Sequence, residues 1–122
     1  MNGALTTLLK TKPSAKAIDR FIERSAFPLV DADNITFVFR GEADAVFLRC
    51  WIAGLDTAQP FQPQEGTDLW ATTIELPAGS RIEYKFEVEK NGNRELILDP
   101  LNAIRAHDPF GANSVCQGAG YR

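Results

Sequence analysis

The chain has 122 residues, 44% hydrophobic and 24% charged, with a net charge of −3, an ordinary composition for a soluble globular domain. A chain of this size folds around one core of its own, burying about two-thirds of its surface, and its apolar content excludes intrinsic disorder. The weak negative charge excludes the electrostatic footprint of a nucleic-acid binder, and no apolar run approaches the ~20 residues needed to span a bilayer.

The first residues, Met1 to Lys10, lack the basic region and apolar run of a signal peptide. Residues 1–24 hold five basic and two acidic residues, +3, which leaves −6 for the remainder. Ala15, Ile18, Phe21 and Ile22 recur at helical spacing, and Pro13-Ser14 supplies helix-start chemistry. One amphipathic helix is expected from Ser14 to Ser25, ended by Phe27-Pro28-Leu29. Residues 1–30 thus read as a helical segment and 31–122 as a β domain. A helix so sparsely basic and without Trp gives no support for membrane association.

From Ile35 the period becomes two. Ile35, Phe37 and Phe39 alternate with Thr36, Val38 and Arg40; Val46, Leu48, Cys50 and Ile52 alternate with Phe47, Arg49 and Trp51. Trp70, Thr72, Ile74 and Leu76 form a third apolar set, which puts Trp70 in the core. Ile82, Tyr84, Phe86 and Val88 face away from Arg81, Glu83, Lys85, Glu87 and Glu89, so this strand has one wet face. Asn91-Gly92 predicts a type I′ hairpin, Arg94 to Leu98 the returning strand, and Asn113 to Gln117 the last one. Residues 54–68 and 99–112 read as long loops, the second pinned by Asx turns. Strand starts near 35, 45, 69, 81, 93 and 113 argue an all-β, antiparallel sandwich of immunoglobulin-like size.

Little in the chain carries chemistry. His107 is the only histidine, the serines are Ser14, Ser25, Ser80 and Ser114, and there is no G-x-S-x-G. No catalytic residues are assigned, and no catalysis is expected from the chain by itself. Cys50 and Cys116 have no CxxC spacing and read as reduced thiols in a cytoplasmic protein. No metal site and no cofactor is expected, because ligand clusters and glycine-rich phosphate loops are absent. The stripe Phe47-Arg49-Trp51 lies opposite the core phase and has interface composition. It is expected to be buried, under the helix through Phe21 and Ile22 or between two copies of the chain as a homodimer.

Leu76-Pro77-Ala78-Gly79, running on through Tyr84-Lys85-Phe86 to Val88, then Asn91-Gly92, Asp99-Pro100 and Gly111-Ala112-Asn113, resembles the glycogen-binding, isoamylase-N-terminal type of early-set sandwich. A nearer resemblance is to the N-terminal domain of enterochelin-esterase-like α/β-hydrolases, through Trp51-Ile52-Ala53-Gly54, Gly66-Thr67-Asp68-Leu69-Trp70 and the segment Asp99 to Ser114. That resemblance implies an early-set sandwich acting as a non-catalytic accessory domain. Its partner would be an α/β-hydrolase domain in cis or in trans, whose substrate entrance it shapes, with Arg105, His107 and Phe110 at the contact. The chain stops where that family's linker to the hydrolase begins. The first resemblance implies instead an α-glucan-binding module with Lys85 and Asn113 as polar sugar contacts. Yet the regions where that family carries its stacking tryptophans, Gly54 to Ala58 and Glu95 to Leu98, hold none. A free-standing interaction or oligomerisation domain is the third reading.

Overall fold

A computed structural model describes residues 2–50, 58–77, 79–108 and 111–118. The chain begins with two helices where one was expected. Helix α1 (Gly3–Lys10) is capped by Asn2, whose side chain accepts from the N–H groups of Ala4 and Leu5 at 2.9 and 3.2 Å. Gly3, Thr6 and Thr7 are poor helix formers. The spacing of Leu5, Leu8 and Leu9 is the signal that outweighs them, since these three pack on one side. Helix α2 (Ala15–Arg24) falls within the expected span, with Ser14 Oγ accepting from the N–H of Ala17 at 3.2 Å.

The rest is a sandwich of two antiparallel sheets. In chain order the strands are β1 (Leu29–Asp31), β2 (Asn34–Arg40), β3 (Ala45–Cys50), β4 (Gln59–Pro60), β5 (Gln62–Pro63), β6 (Leu69–Glu75), β7 (Arg81–Lys90), β8 (Asn93–Ile97), β9 (Arg105–Asp108) and β10 (Gly111–Gln117). One sheet runs β1-β2-β6-β5; the other runs β4-β3-β7-β10-β9, with β8 also on β7. The region read as a polar loop supplies β4 and β5, two-residue strands too short to carry a period. The Asx-rich segment supplies β9. Asn91 and Gly92 take φ of 54° and 79° at the β7–β8 turn, the positive pair that a type I′ hairpin needs.

Between the sheets, Ile35, Phe37 and Phe39 of β2 pack on Val46 and Leu48 of β3 and on Tyr84 and Phe86 of β7. The rings meet edge-on, Phe37 to Tyr84 at 4.8 Å and Phe61 to Phe86 at 5.0 Å between centroids. A second core lies on the other side of the four-stranded sheet. There Leu5, Ile18, Phe21 and Phe27 pack on Val38, Leu69 and Ala71, with Ile22 at the margin.

That second core corrects one expectation: Phe21 and Ile22 do not cover the stripe that begins at Phe47. Their helix lies on the opposite sheet, because β2 and β6 present Val38, Leu69 and Ala71 outward. Strand β7 presents Glu83, Lys85, Glu87 and Glu89, which gain nothing from an apolar cover.

Strand β7 has a divided edge. Its first half pairs with β10 (Ser114 opposite Tyr84 through Gln117 opposite Arg81), and its second half pairs with β8 (Phe86 opposite Ile97 through Lys90 opposite Asn93). The chain leaves β8, turns at Asp99 and returns through β9 to fill the other half of the same edge.

Candidate functional site

The outer face of the six-stranded sheet gathers several of the residues singled out from sequence. In register, Arg49 stands opposite Lys85. On the other side the pairing with β10 ends at Ser114 opposite Tyr84, with Asn113 just beyond it. Arg49 and Lys85 therefore share one row. Asn113 Nδ2 donates to Glu83 Oε1 at 3.2 Å.

The neighbouring row holds Phe47, Glu87 and Leu96. The Arg94 guanidinium lies 5.5 Å above the Phe47 ring, within cation–π range. Glu87 is the hub of the charges, at 3.4 Å from Arg49 and 3.8 Å from Arg94, and its side chain is only 13% exposed. Leu96 is half-exposed, so the face is a charged lattice with apolar points in it. Trp51 and Phe110 lie outside the described residues. His107 is placed by its backbone in β9, opposite Ala112.

Behind the divided edge of β7 sits a buried polar cluster. The Tyr84 hydroxyl donates to Asp99 Oδ2 at 2.6 Å, and Asn102 Nδ2 donates to the Tyr84 hydroxyl at 3.0 Å and to the Val115 carbonyl at 2.8 Å. Ser114 Oγ accepts from the Asp99 N–H at 2.8 Å. The side chains of Asp99 and Asn102 each accept from a backbone N–H two residues on, at Leu101 and Ile104, both at 2.9 Å. These are the Asx turns expected of this segment. Arg105 donates to the carbonyls of Asn102 and Asp99, so the structure turns it inward to hold the loop. Burial raises the pKa of Asp99 and carries that of Tyr84 well above the phenol range. The cluster is closed and satisfied, the condition under which buried polar groups rigidify a fold. Of the serines, Ser114 is fully buried and engaged here, in no position to act as a nucleophile.

Both cysteines are free thiols. Burial pushes Cys50 up to about 12 and Cys116 up to about 11, so neither is a reactive thiolate near neutral pH.

A cleft of about 560 Å³ opens at the end of the β2–β6 pair, between the start of α2 and the turn before β6. Trp70 packs against the main core, as its phase predicts, and also lines this cleft. Its indole N–H donates to the Gly41 carbonyl at 3.1 Å. Arg40 Nε reaches the two Asp68 carboxylate oxygens at 3.3 and 3.2 Å, and its Nη1 pairs with Asp19. The hydrogen bond to Asp19 is the largest influence raising the Arg40 pKa. Sequence reasoning missed the site, although Asp68 and Trp70 fall in the Gly66-to-Trp70 motif. The signal for Arg40 is a charge ending an otherwise buried strand.

Neither a protein-family model nor a curated protein matches this sequence. Solved structures do. The chain is similar to an enterochelin esterase from Shigella flexneri, with a TM-score of 0.68 and 19% identity over 84% of this chain and 36% of the esterase. It is similar to ferric enterobactin esterase from Salmonella typhimurium, with a TM-score of 0.61 and 18% identity over 73% of this chain and 32% of that one. It is also similar to a pullulanase from Anoxybacillus, with a TM-score of 0.60 and 18% identity over 77% of this chain and 13% of the pullulanase. The chain thus spans about a third of the esterases' length. The shared element is the sandwich fold, in agreement with both resemblances drawn from the motifs.

Proposed function

We propose that this chain is a non-catalytic accessory domain that packs against an α/β-hydrolase domain, in cis or in trans, and shapes the entrance to its ester substrate site. The observation that carries the reading is the match to a domain-sized third of two esterases. A bulky ester of siderophore type is the substrate this reading favours. The contact is assigned to the outer face of the six-stranded sheet, since the chain's own helices already occupy the outer face of the other one. Phe47, Arg49 and Leu96 would meet the hydrolase there. His107 and Phe110 belong to the same proposal as contact residues, whereas Arg105 supports it by fixing the loop.

The test is to recover the tagged protein from its native cells and label it with a fluorophosphonate. The reading expects a labelled serine hydrolase in the same polypeptide or in a complex with it, and Arg49→Glu should weaken a complex formed in trans. Turnover of p-nitrophenyl esters by the purified chain, abolished in His107→Ala, overturns it.

A second reading, α-glucan binding at Lys85 and Asn113, is favoured by the contact of Asn113 with Glu83, which puts Asn113 on the face that carries Lys85. Retention on amylose, competed by β-cyclodextrin and lost in Lys85→Ala, would establish it. The homodimer follows from the same open face and is read by sedimentation.

A further inference from the structure

We propose that the N-terminal helical segment, α1 together with α2, is a hinged strap: it lifts off the four-stranded sheet as one unit while the sandwich stays folded, and ionic strength sets how often it does so. Every described strand begins at Leu29 or later, so both sheets keep their hydrogen-bonded ladders when the helices are away. Among the described residues, two polar contacts tie the helical segment to the sandwich. The Asn2 N–H donates to Thr36 Oγ1 at 3.1 Å, and Arg40 pairs with Asp19. The rest of the hold is apolar, through Leu5, Ile18 and Phe21 on Val38, Leu69 and Ala71.

Helix length makes the release cooperative. The helices have 8 and 10 residues, fewer than the about 12–15 at which an isolated helix holds in water. Each depends on the sheet and on the apolar cluster it shares with the other, so the two are lost together. The hinge lies at Ser25 and Ala26. Ser25 is extended, with φ −109° and ψ 151°, Ala26 is exposed, and the chain re-enters the core at Phe27.

The seam under the strap is loosely filled. The cleft of about 560 Å³ has Pro13, Ala15 and Ile18 on the helical side and Arg40, Leu69 and Trp70 on the sheet side. A second cleft, of about 570 Å³, is lined by Leu9 and Lys12 on one side and by Glu65, Gly66 and Thr67 on the other. Side chains beside such gaps lack partner atoms on one side and forfeit that dispersion energy. Sparse packing of this kind marks an element that opens below global unfolding.

Charge completes the hold. Residues 1–24 carry +3 and the remainder −6, so the two parts attract. Arg40 Nε is fixed on Asp68 at 3.2 Å, so the sandwich keeps the cation. Asp19, with a side chain 53% exposed, is the arm that leaves. Attraction between charges in contact with water weakens as salt rises.

The inference does not depend on the accessory reading. The test is native-state hydrogen exchange of the whole chain at about 0.01 M and about 0.15 M sodium chloride, where the Debye length is about 30 and about 8 Å. With rates referenced to the unfolded chain, the amides of α1 and α2 should exchange through one common opening, ahead of β2, β6 and β7. That opening should be more frequent at the higher salt. Asp19→Asn should raise it about two- to fivefold at low salt, the range of a part-exposed ion pair, and flatten its salt response, with β2 and β7 unchanged. Glu23→Gln, which removes the same charge elsewhere on α2, should not raise it. Helical amides that exchange only with global unfolding, together with those of β7, overturn the proposal. So do α1 and α2 opening at separate rates, or an opening that salt leaves unchanged.

Discussion

The two sheets use strands of similar length and the same period, yet they meet their surroundings in opposite ways. Strand β2 is buried at every residue from Ile35 to Phe39, because one face meets the opposing sheet and the other meets helices. Strand β7 alternates between Ile82, Tyr84 and Phe86, which are buried, and Glu83, Lys85 and Glu87, which are not. The difference lies in the side chains of the outward phase. Thr36 and Val38 tolerate a dry cover, Thr36 by pairing its hydroxyl with Thr73 at 2.9 Å, whereas a row of carboxylates and cations does not. A strand's second face therefore reports whether the fold itself covers it, and the outer face of the six-stranded sheet is the one the helices leave open.

The contrast is sharpest at two phenylalanines. Phe21, 3% exposed under the helices, should cost about 3–5 kcal/mol when replaced by Ala. Phe47 on the open face should cost about 1 kcal/mol, mostly the loss of its contact with Arg94. Urea unfolding of both variants measures the gap, and equal losses would mean that the open face is covered after all.

Next in size is Tyr84→Phe. Removing the hydroxyl leaves the Asp99 carboxyl and the Asn102 amide without their shared partner, a loss of about 1–3 kcal/mol. The same variant set carries a pH test. Burial raises the Asp99 pKa above its ordinary 3.8, so the folded state holds a proton that the unfolded state releases. Stability from this group is then present at low pH and is lost as pH rises through 3.8 toward the higher folded value. Wild type should lose ground to Asp99→Asn across that window, a slope opposite to that of a salt-bridged carboxylate.

The smallest effect belongs to the open face. A double-mutant cycle on Arg49 and Glu87, 3.4 Å apart, should return a coupling of about 0.2–1 kcal/mol that fades with salt.

Much of this architecture was legible in the sequence. The strands from Ile35, Val46, Trp70 and Arg81 follow the period, and the β7–β8 turn follows Asn-Gly chemistry. Strands β4 and β5 were not legible, since two residues cannot display an alternation and their pairing is set by β3 and β6. The destination of α2 was legible in principle: Val38, Leu69 and Ala71 in the outward phase mark the sheet that receives it. Phe47 drew attention instead because its size outweighed the charges beside it. Lys85 and Asn113 came from resemblance, and only the folded sheet brings them onto one face. Arg40, Asp68 and Trp70 meet through tertiary packing, which no spacing in the chain encodes.

The divided edge of β7 has a kinetic consequence. The β7–β8 hairpin closes across two residues, whereas the contact of Asn113 with Glu83 spans 30. Loop-closure entropy makes the first fast and the second slow, so the half-edge opposite Arg81 to Tyr84 stays open until the last strand arrives. Ser114, bonded to the backbone of Asp99, then acts as the latch of that late step. In native-state hydrogen exchange, the amides of β10 should be released together with those of the Asp99–Arg105 loop, ahead of the β7–β8 hairpin. The order in which this sandwich opens is thus written at the point where two strands divide one neighbour.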